Sequence, residues 1–346
     1  SPEQLPARGL VITGQVPALD LSGWLALAGP GAGGDTVTDW PQVILRAGEL
    51  GVFGRGFREV DLQMRPGPEL VDVQLLGPDI EGSIQWPRDA AGRTVRGRFV
   101  RLHVPSGGSS SVAGNLQPGA MPALDIEVAD ARIGGTVFGR TVLEAQAVGD
   151  GYRIRRFESR NSAFDLDASG LWRIQDGADV SEMAIRLRAD DLGAMLESFG
   201  FAGLIQGGRT RVGIDGRWAG SPAAFALERI DGRLDLEVGA GRIVDVDPGV
   251  GRLFGLLNLR EIPRRLVLDF RDFFSQGMRF NSIEGSFQLN VGDAYTDNVL
   301  LKSPAADILI TGRTGLIMRD YDQTLEVTPR LGGALPVVGA IAGGPA

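Results

Sequence analysis

Alternation of apolar and polar residues with a period of two is the feature that most limits how this chain can fold. It recurs in residues 71–75 (VDVQL), 164–168 (FDLDA), 234–238 (LDLEV) and 287–291 (FQLNV). Successive side chains of a strand point to opposite faces of a sheet, so these segments are typical of strands with one buried face. Glycine-containing breaks such as 149–151 (GDG) suit hairpin turns. The pattern predicts an all-β fold built on an antiparallel sheet.

Helical periodicity is scarce. It is confined to residues 20–28, 190–199 and 248–259, where Asp247 and Pro248 are suitable residues for the first positions of a helix. The 51 glycines among 346 residues, about twice the average share of about 7%, also disfavour long helices. A few short helices cannot cover the apolar face of a large sheet, so we expect the sheet to curl strongly onto itself.

A degenerate repeat accompanies the strand pattern. Phe53 in the sequence VFGR precedes Trp86 by 33 residues, and Phe138 in a second VFGR precedes Trp172 by 34. A repeat of roughly 85 residues is therefore expected, and stacked repeats build elongated bodies with a continuous apolar surface. Residues 105–119 are rich in Gly and Ser and are expected to form a flexible loop between segments 1–104 and 120–346.

Catalytic and metal-binding chemistry lacks the necessary residues. The chain has no cysteine and one histidine, His103, which is expected to be a solvent-facing strand residue. Acid pairs such as Asp165 with Asp167 and Asp235 with Glu237 share a strand face and are assigned to a charged outer surface. The glycines around Gly251 do not match a dinucleotide loop. We expect no enzyme, cofactor or metal site.

The net charge of −8 argues against a nucleic-acid partner, because binding to phosphates depends on Lys and Arg contacts. Neither a signal peptide nor an apolar run long enough to span a bilayer is recognised. Alternation alone fits either a closed sandwich with a dry core, which is the commoner outcome, or an open trough lined by apolar side chains.

The C-terminal part of the chain resembles the AsmA-like YhdP family, near the C-terminus of its members. The motifs that carry the resemblance are DVDPGVGRLFGLL at 245–257, PRRL at 263–266, DFRD at 269–272, FNSIEG at 280–285, TDN at 296–298, SPAA at 303–306, RDYDQT at 319–324 and GGPA at 343–346. Looser matches at 191–193 (DLG) and 216–222 (GRWAGSP) extend the resemblance over nearly the whole chain, and it is weakest before Pro41.

The resemblance implies a segment of a periplasmic, bridge-like protein that carries phospholipid between the inner and outer membranes and supports the outer-membrane barrier. It favours the open apolar groove, with an inner-membrane anchor outside this sequence and the outer membrane or its proteins near the C-terminus. Acyl chains are then expected to lie against inward side chains, namely Val71, Val73, Phe164, Leu166, Leu236, Val238, Phe254, Phe287, Leu289, Ile308 and Ile310.

Alternatives stay open at this point. The helix with Phe254 suits either the floor of the groove or ordinary core packing, and the uncharged residues 331–346 suit either a membrane-proximal end or a frayed tail. A closed β core would make the chain a structural or assembly module of the envelope. A degenerate carbohydrate-active β-protein is the third possibility.

Overall fold

The computed structural model describes residues 10–20, 41–52, 55–88, 93–105, 118–201, 203, 205–244 and 278–330. The chain divides into two compact units, the first made of residues 1–162, 166–181 and 220–222, and the second of residues 163–165, 182–219 and 223–346. In both units the described residues are mainly strands, which confirms the all-β prediction. The predictions for residues 21–28, 106–117, 245–277 and 331–346, including Phe254, fall outside the described residues.

Nine strands and most of a tenth form the sheet of the first unit. They are β1 (Val11–Asp20), β2 (Gln42–Val52), β3 (Arg55–Pro66), β4 (Leu70–Leu76), β5 (Ile80–Pro87), β6 (Thr94–Val104), β7 (Ala123–Ile133), β8 (Thr136–Val148), β9 (Gly151–Arg160) and β10 (Asp165–Gln175). A short 3-10 helix, Pro118–Ala120, precedes β7. Strand β11 (Ala178–Ala189) contributes residues to both units.

Two strand pairs of the first unit are parallel, in a sheet that the sequence predicts to be antiparallel. Strand β1 pairs in parallel with β2, and β6 pairs in parallel with β7, while the pairs from β2 to β6 and from β7 to β9 are antiparallel. A parallel pair needs a long connection that returns the chain to the same end of the sheet. The segments 21–41 and 105–122, which lack strand periodicity, supply these connections.

The second unit contains a larger and a smaller sheet. The larger one includes β13 (Thr210–Ala219), β14 (Asp231–Val238), β17 (Ser282–Asn290), β18 (Asp293–Lys302), β19 (Ala306–Gly315) and β20 (Tyr321–Pro329), paired antiparallel in that order. The smaller one joins β12 (Ile205–Gly207), β15 (Gly241–Ile243) and β16 (Met278–Phe280). Short 3-10 helices occur at Pro222–Ala224 and Leu227–Arg229.

One α-helix, α1 (Leu192–Ser198), is present in the described residues, within the stretch 190–199 where a helix is predicted. Asp191 is its N-cap and accepts a hydrogen bond from the Ala194 amide at 3.0 Å. Gly200 follows the C-cap with φ 90°, a conformation that glycine adopts without strain. Phe199 stacks on Phe164, with ring centroids 5.1 Å apart.

The core of the first unit is a cluster on β2 to β5 that includes Val43, Leu50 and Val60, each fully buried. No strongly curled sheet is found in the described residues, and the groove and the repeats stay predictions. Trp86 lies on β5, the fourth strand of the antiparallel run from β2, and Trp172 lies on β10, the fourth strand from β7.

Candidate functional site

Apolar side chains of the first unit line up in rows that cross the sheet. Residues paired in register on neighbouring strands share one face and contact each other. One row runs through eight strands, from β2 to β9, and consists of Val43, Met64, Val73, Ile84, Gly97, Ile126, Leu143 and Phe157. A second row beside it contains Leu45, Leu62, Leu75, Gly82, Phe99 and Val128. The sheet therefore has one continuous apolar face.

Exposure of this face changes across the strands. Val43 and Val60, at the side of β2 and β3, are fully buried, whereas Val73, Ile84 and Phe99 further along are only partly buried. Partly exposed apolar area is unfavourable by roughly 25 cal/mol per Å², so an apolar ligand that covered it would be stabilised. On β4, Val71 and Leu75 are also buried, at 1% and 3% exposure, so such a ligand can contact the middle strands only at partly buried side chains such as Val73, Ile84 and Phe99.

The larger sheet of the second unit has an equivalent face. One row crosses it from β14 to β20 and consists of Val238, Ile283, Leu301, Ile308 and Val327. A second row contains Val212, Leu236, Gly285, Val299, Ile310 and Leu325, with Gly285 lying against Val299. Val238 is buried, while Leu325 on the last strand is 38% exposed. The face is thus apolar to its edge and most accessible there.

The opposite faces of both sheets are polar and carry ion pairs from strand to strand. Examples from the first unit are Arg46 with Asp61 at 3.1 Å and Arg101 with Glu81 at 2.9 Å. In the second unit Arg313 contacts Asp293 at 2.7 Å. These pairs are solvent-accessible, so each contributes little to stability, but together they make one face of each sheet compatible with water.

Hydrogen bonds on the polar face shift several pKa values. The Arg156 guanidinium lowers the pKa of Glu158 through a hydrogen bond, and a hydrogen bond with Asp125 raises the pKa of Arg98. His103 Nε2 lies 2.8 Å from Asp130 Oδ2, and this contact lowers the pKa of Asp130. His103 is on the polar side of β6 but is only 21% exposed, because Asp130 lies beside it.

Other chemistry is sparse among the residues that the structure describes. They include no group of three or more His, Cys, Asp or Glu residues that could hold a metal ion. Tyr152 is buried, its hydroxyl donates to the carbonyl of Pro122 at 2.8 Å, and burial raises its pKa. None of the helices in the described ranges has the length and apolar character needed to cross a bilayer.

Comparison with known proteins identifies the family. The model of the YhdP protein family matches residues 1–346. The chain belongs to the YhdP family. A curated relative is the intermembrane phospholipid transporter YhdP of Escherichia coli (strain K12), 24% identical over 342 residues, which cover 95% of this chain and 27% of that protein. No solved structure matches the chain.

The structure places most of the predicted lipid-binding residues of this YhdP-family chain on the two apolar faces. Val71 and Val73 lie on the face of the first unit. Six residues share the face of the second unit, namely Leu236, Val238, Phe287, Leu289, Ile308 and Ile310. Leu166, on β10, is partly buried. Phe164 precedes β10 and is 2% exposed, because Phe199 covers its ring.

Several members of the apolar rows are not among the predicted residues. Ile84, Phe99 and Ile126 in the first unit, and Ile283 and Leu301 in the second, belong to the same faces. Their strands mix apolar residues with glycine and arginine, as in 96–101 (RGRFVR), which weakens the alternation. Glycine at an inward position was the signal that could have revealed them, since it preserves the period without adding an apolar side chain.

Proposed function

We propose that this chain is a non-enzymatic, lipid-holding segment of a phospholipid transport protein, and that acyl chains lie along the apolar faces of its sheets. The observation that carries this proposal is the pair of apolar rows in each unit, partly buried and opposite a face covered by ion pairs. A surface divided in this way suits a ligand that is itself amphipathic. Membership of the YhdP family, which includes an intermembrane phospholipid transporter, supports phospholipid as that ligand.

Such a face acts through the hydrophobic effect. An acyl chain lying on the rows covers apolar side chains and is itself removed from water. The free energy of the complex therefore falls in proportion to the apolar area covered on both surfaces. The strength of such contacts does not depend on the position of the acyl chain along the face. A lipid can therefore slide from one row to the next while its headgroup stays in water, and a partner or a gradient must set the direction.

The finer parts of the proposal concern architecture and place. If the sheet curls and is built from repeats, the apolar faces line an open groove. That groove would connect successive lipid sites. In this proposal the full-length protein works in the periplasm, is anchored in the inner membrane and delivers lipid at the outer membrane or its proteins, which supports the outer-membrane barrier.

A second candidate function is a structural module of the envelope with a closed core. The fully buried cluster around Val43, Leu50 and Val60 favours this candidate locally, because an acyl chain cannot reach these side chains. The partly buried residues of the middle strands distinguish the two candidates. Only a lipid-holding face requires them to be accessible.

The test compares charges placed on the two faces of one strand. Val73→Asp is matched by Gln74→Asp on β4, and Leu325→Asp is matched by Thr324→Asp on β20, where each control residue is the exposed neighbour on the opposite face. Native mass spectrometry of the purified chain, with lipid extraction, gives the phospholipid bound per protein. We expect roughly fivefold less lipid in the two inward variants and wild-type amounts in the controls.

Leu325 is already 38% exposed, so an aspartate there should leave the free energy of unfolding almost unchanged and keep the result interpretable. Wild-type protein that purifies without lipid and binds none when phospholipid is supplied would overturn the proposal. Equal lipid loss in Thr324→Asp and Leu325→Asp would also contradict it.

A further inference from the structure

Two neighbouring turns at one end of the second unit carry exposed apolar side chains. Val291, in the turn between β17 and β18, is 65% exposed. Ile317 and Met318, in the turn between β19 and β20, are 58% and 78% exposed. The Leu316 amide donates to the Gly292 carbonyl at 2.7 Å, which ties the two turns together. We call Val291, Ile317 and Met318 the tip patch.

Ion pairs at the base hold the tip patch in place. Arg313 contacts Asp293 at 2.7 Å and Asp320 at 2.9 Å, so it joins the strands from which both turns emerge. Within the second turn, the Gly315 amide donates to the Asp320 carbonyl at 2.8 Å. Because the turns are already fixed, little conformational entropy is lost when the patch binds a partner.

A fourth exposed apolar side chain, in a third loop, lies at the same end of this sheet. Strands β13, β14, β17, β18, β19 and β20 are successive antiparallel neighbours, so the loop from β13 to β14 is at the end where β17 and β19 finish. Phe225 in this loop is 44% exposed and packs edge-on against Trp218, with ring centroids 5.4 Å apart. The end of the sheet is apolar in three separate loops.

A cation stands next to the tip patch. Arg319 follows Met318 directly and is exposed, and it makes no ion pair with any residue in the described ranges. The nearby carboxylates of Asp293 and Asp320 are bound by Arg313. Apolar side chains flanked by a basic residue are typical of segments that lie at a membrane interface, where the apolar groups enter the acyl region and the cation meets lipid phosphates.

The small area of the tip patch favours a bilayer over a folded protein as its partner. A stable protein interface buries about 800 Å² per partner, with about 20 to 30 residues a side. A few side chains on protruding turns cannot supply that area, but they suffice for weak, reversible contact with a bilayer. We propose that the tip patch inserts into the surface of a phospholipid bilayer, with Arg319 on anionic headgroups. This inference rests on the proposed function and adds the place where a lipid-holding chain contacts a membrane.

Vesicle flotation tests the inference. The 346-residue chain is mixed with vesicles of phosphatidylethanolamine and phosphatidylglycerol, and the bound fraction is compared with that of Ile317→Ser/Met318→Ser. The control is Leu76→Ser/Val100→Ser, which removes two apolar side chains of the first unit that are 56% and 58% exposed. We expect binding roughly tenfold weaker for the tip variant and unchanged for the control. Arg319→Gln should weaken binding to these vesicles but not to phosphatidylcholine vesicles.

A second measurement separates this inference from the proposed function. Delipidated protein is titrated with a monomeric fluorescent lysophospholipid below its micelle concentration, which requires no bilayer contact. We expect the tip variant to bind this probe like the wild type. Two results would overturn the membrane contact and leave the proposed function standing. In both, the wild type binds the lysophospholipid probe, and it either fails to bind vesicles or binds them no better than the tip variant does. A wild type that does not bind the probe would instead overturn the proposed function.

Discussion

The ring of Phe99 on β6 lies over Gly82, its register partner on β5. A Cβ built on Gly82 would be 2.5 Å from Phe99 Cδ1 and 2.8 Å from Phe99 Cα. The other side of the ring faces Gly97, where a built Cβ would be 2.9 Å from Phe99 Cε2. Two glycines thus leave the space that the Phe99 ring occupies on the apolar face. Glycine here shapes the surface, in addition to forming turns.

The two glycines should differ in their tolerance of alanine. At Gly82 the new methyl meets backbone atoms, including Arg98 O at 2.6 Å, which cannot move aside, so Gly82→Ala should destabilise by about 1–3 kcal/mol. At Gly97 the nearest atom is Ile126 Cδ1 at 2.7 Å, the end of a side chain that can rotate. The gain of about 0.5–1 kcal/mol when alanine replaces a strand glycine should offset most of that clash.

Urea denaturation of both variants measures the free energies of unfolding. Ile126→Val in the Gly97→Ala background should recover part of any remaining loss, because it removes the closest clashing atom, while the close contact with Phe99 Cε2 stays. Equal destabilisation by Gly82→Ala and Gly97→Ala would show that the ring, and not the backbone, limits the space.

Alternation in the sequence was enough to predict the strands and the face on which many apolar residues lie. Leu236 and Val238 are inward on β14, and the neighbouring Glu237 is exposed, as the period of two requires. Helical periodicity over residues 190–199 predicted α1. The parallel pairing of β6 with β7 could not be predicted, because it depends on a connection without periodicity. The irregular register between Thr296 and Val299 also interrupts the alternation of inward and outward residues along β18.

Burial within the face was the other part that sequence could not supply. Leu166 and Leu289 have the same pattern around them, yet Leu166 is partly buried and Leu289 is 1% exposed. Local alternation gives the face on which a side chain lies, and the fold of the sheet decides how much of that face is covered. The list of residues that a lipid can contact therefore required the structure.

Leu289 should behave as a core residue. Truncation to alanine should cost about 2–5 kcal/mol, because a fully buried leucine leaves a cavity that closes only in part. Leu325→Ala, at 38% exposure on the same face, should change the free energy of unfolding by less than about 0.5 kcal/mol. Urea denaturation compares the two. A small effect at Leu289 would mean that the second unit opens around β17 in solution.

The N-cap of α1 offers a matched pair of aspartates. Asp191→Ala removes the acceptor for the Ala194 amide and should destabilise the second unit by about 1 kcal/mol, whereas Asp191→Asn should keep most of the stability. Asp190→Ala is the control, since its carboxylate is 93% exposed and contacts only the exposed Arg209. A loss at Asp190 as large as that at Asp191 would argue against capping as the cause.

Ser303 holds the turn between β18 and β19 from inside the protein. It is 1% exposed, its hydroxyl donates to Ala306 O at 2.7 Å, and its oxygen accepts from the Ala306 amide at 2.9 Å. Ser303→Ala should cost about 1–3 kcal/mol, because both backbone groups lose a partner in a buried position. Pro304→Ala, at the exposed position beside it, is the control. Similar unfolding midpoints for the two variants would contradict the role of the hydroxyl.

The contact between His103 and Asp130 predicts a dependence on pH. A hydrogen bond with His103 lowers the pKa of Asp130 below its ordinary value of 3.8, so the folded state favours the ionised carboxylate more than the unfolded chain does. Its contribution to stability is present above pH 3.8 and is lost as the pH falls through the folded-state pKa. Because Asp130 is 39% exposed, that contribution should be only about 0.2–1 kcal/mol. Asp130→Asn should therefore be less stable than the wild type at pH 7 and equally stable at acidic pH, as measured by urea denaturation.

His103→Phe should raise the pKa of Asp130 in a carbon-detected NMR titration, and an unchanged pKa would exclude His103 as the cause.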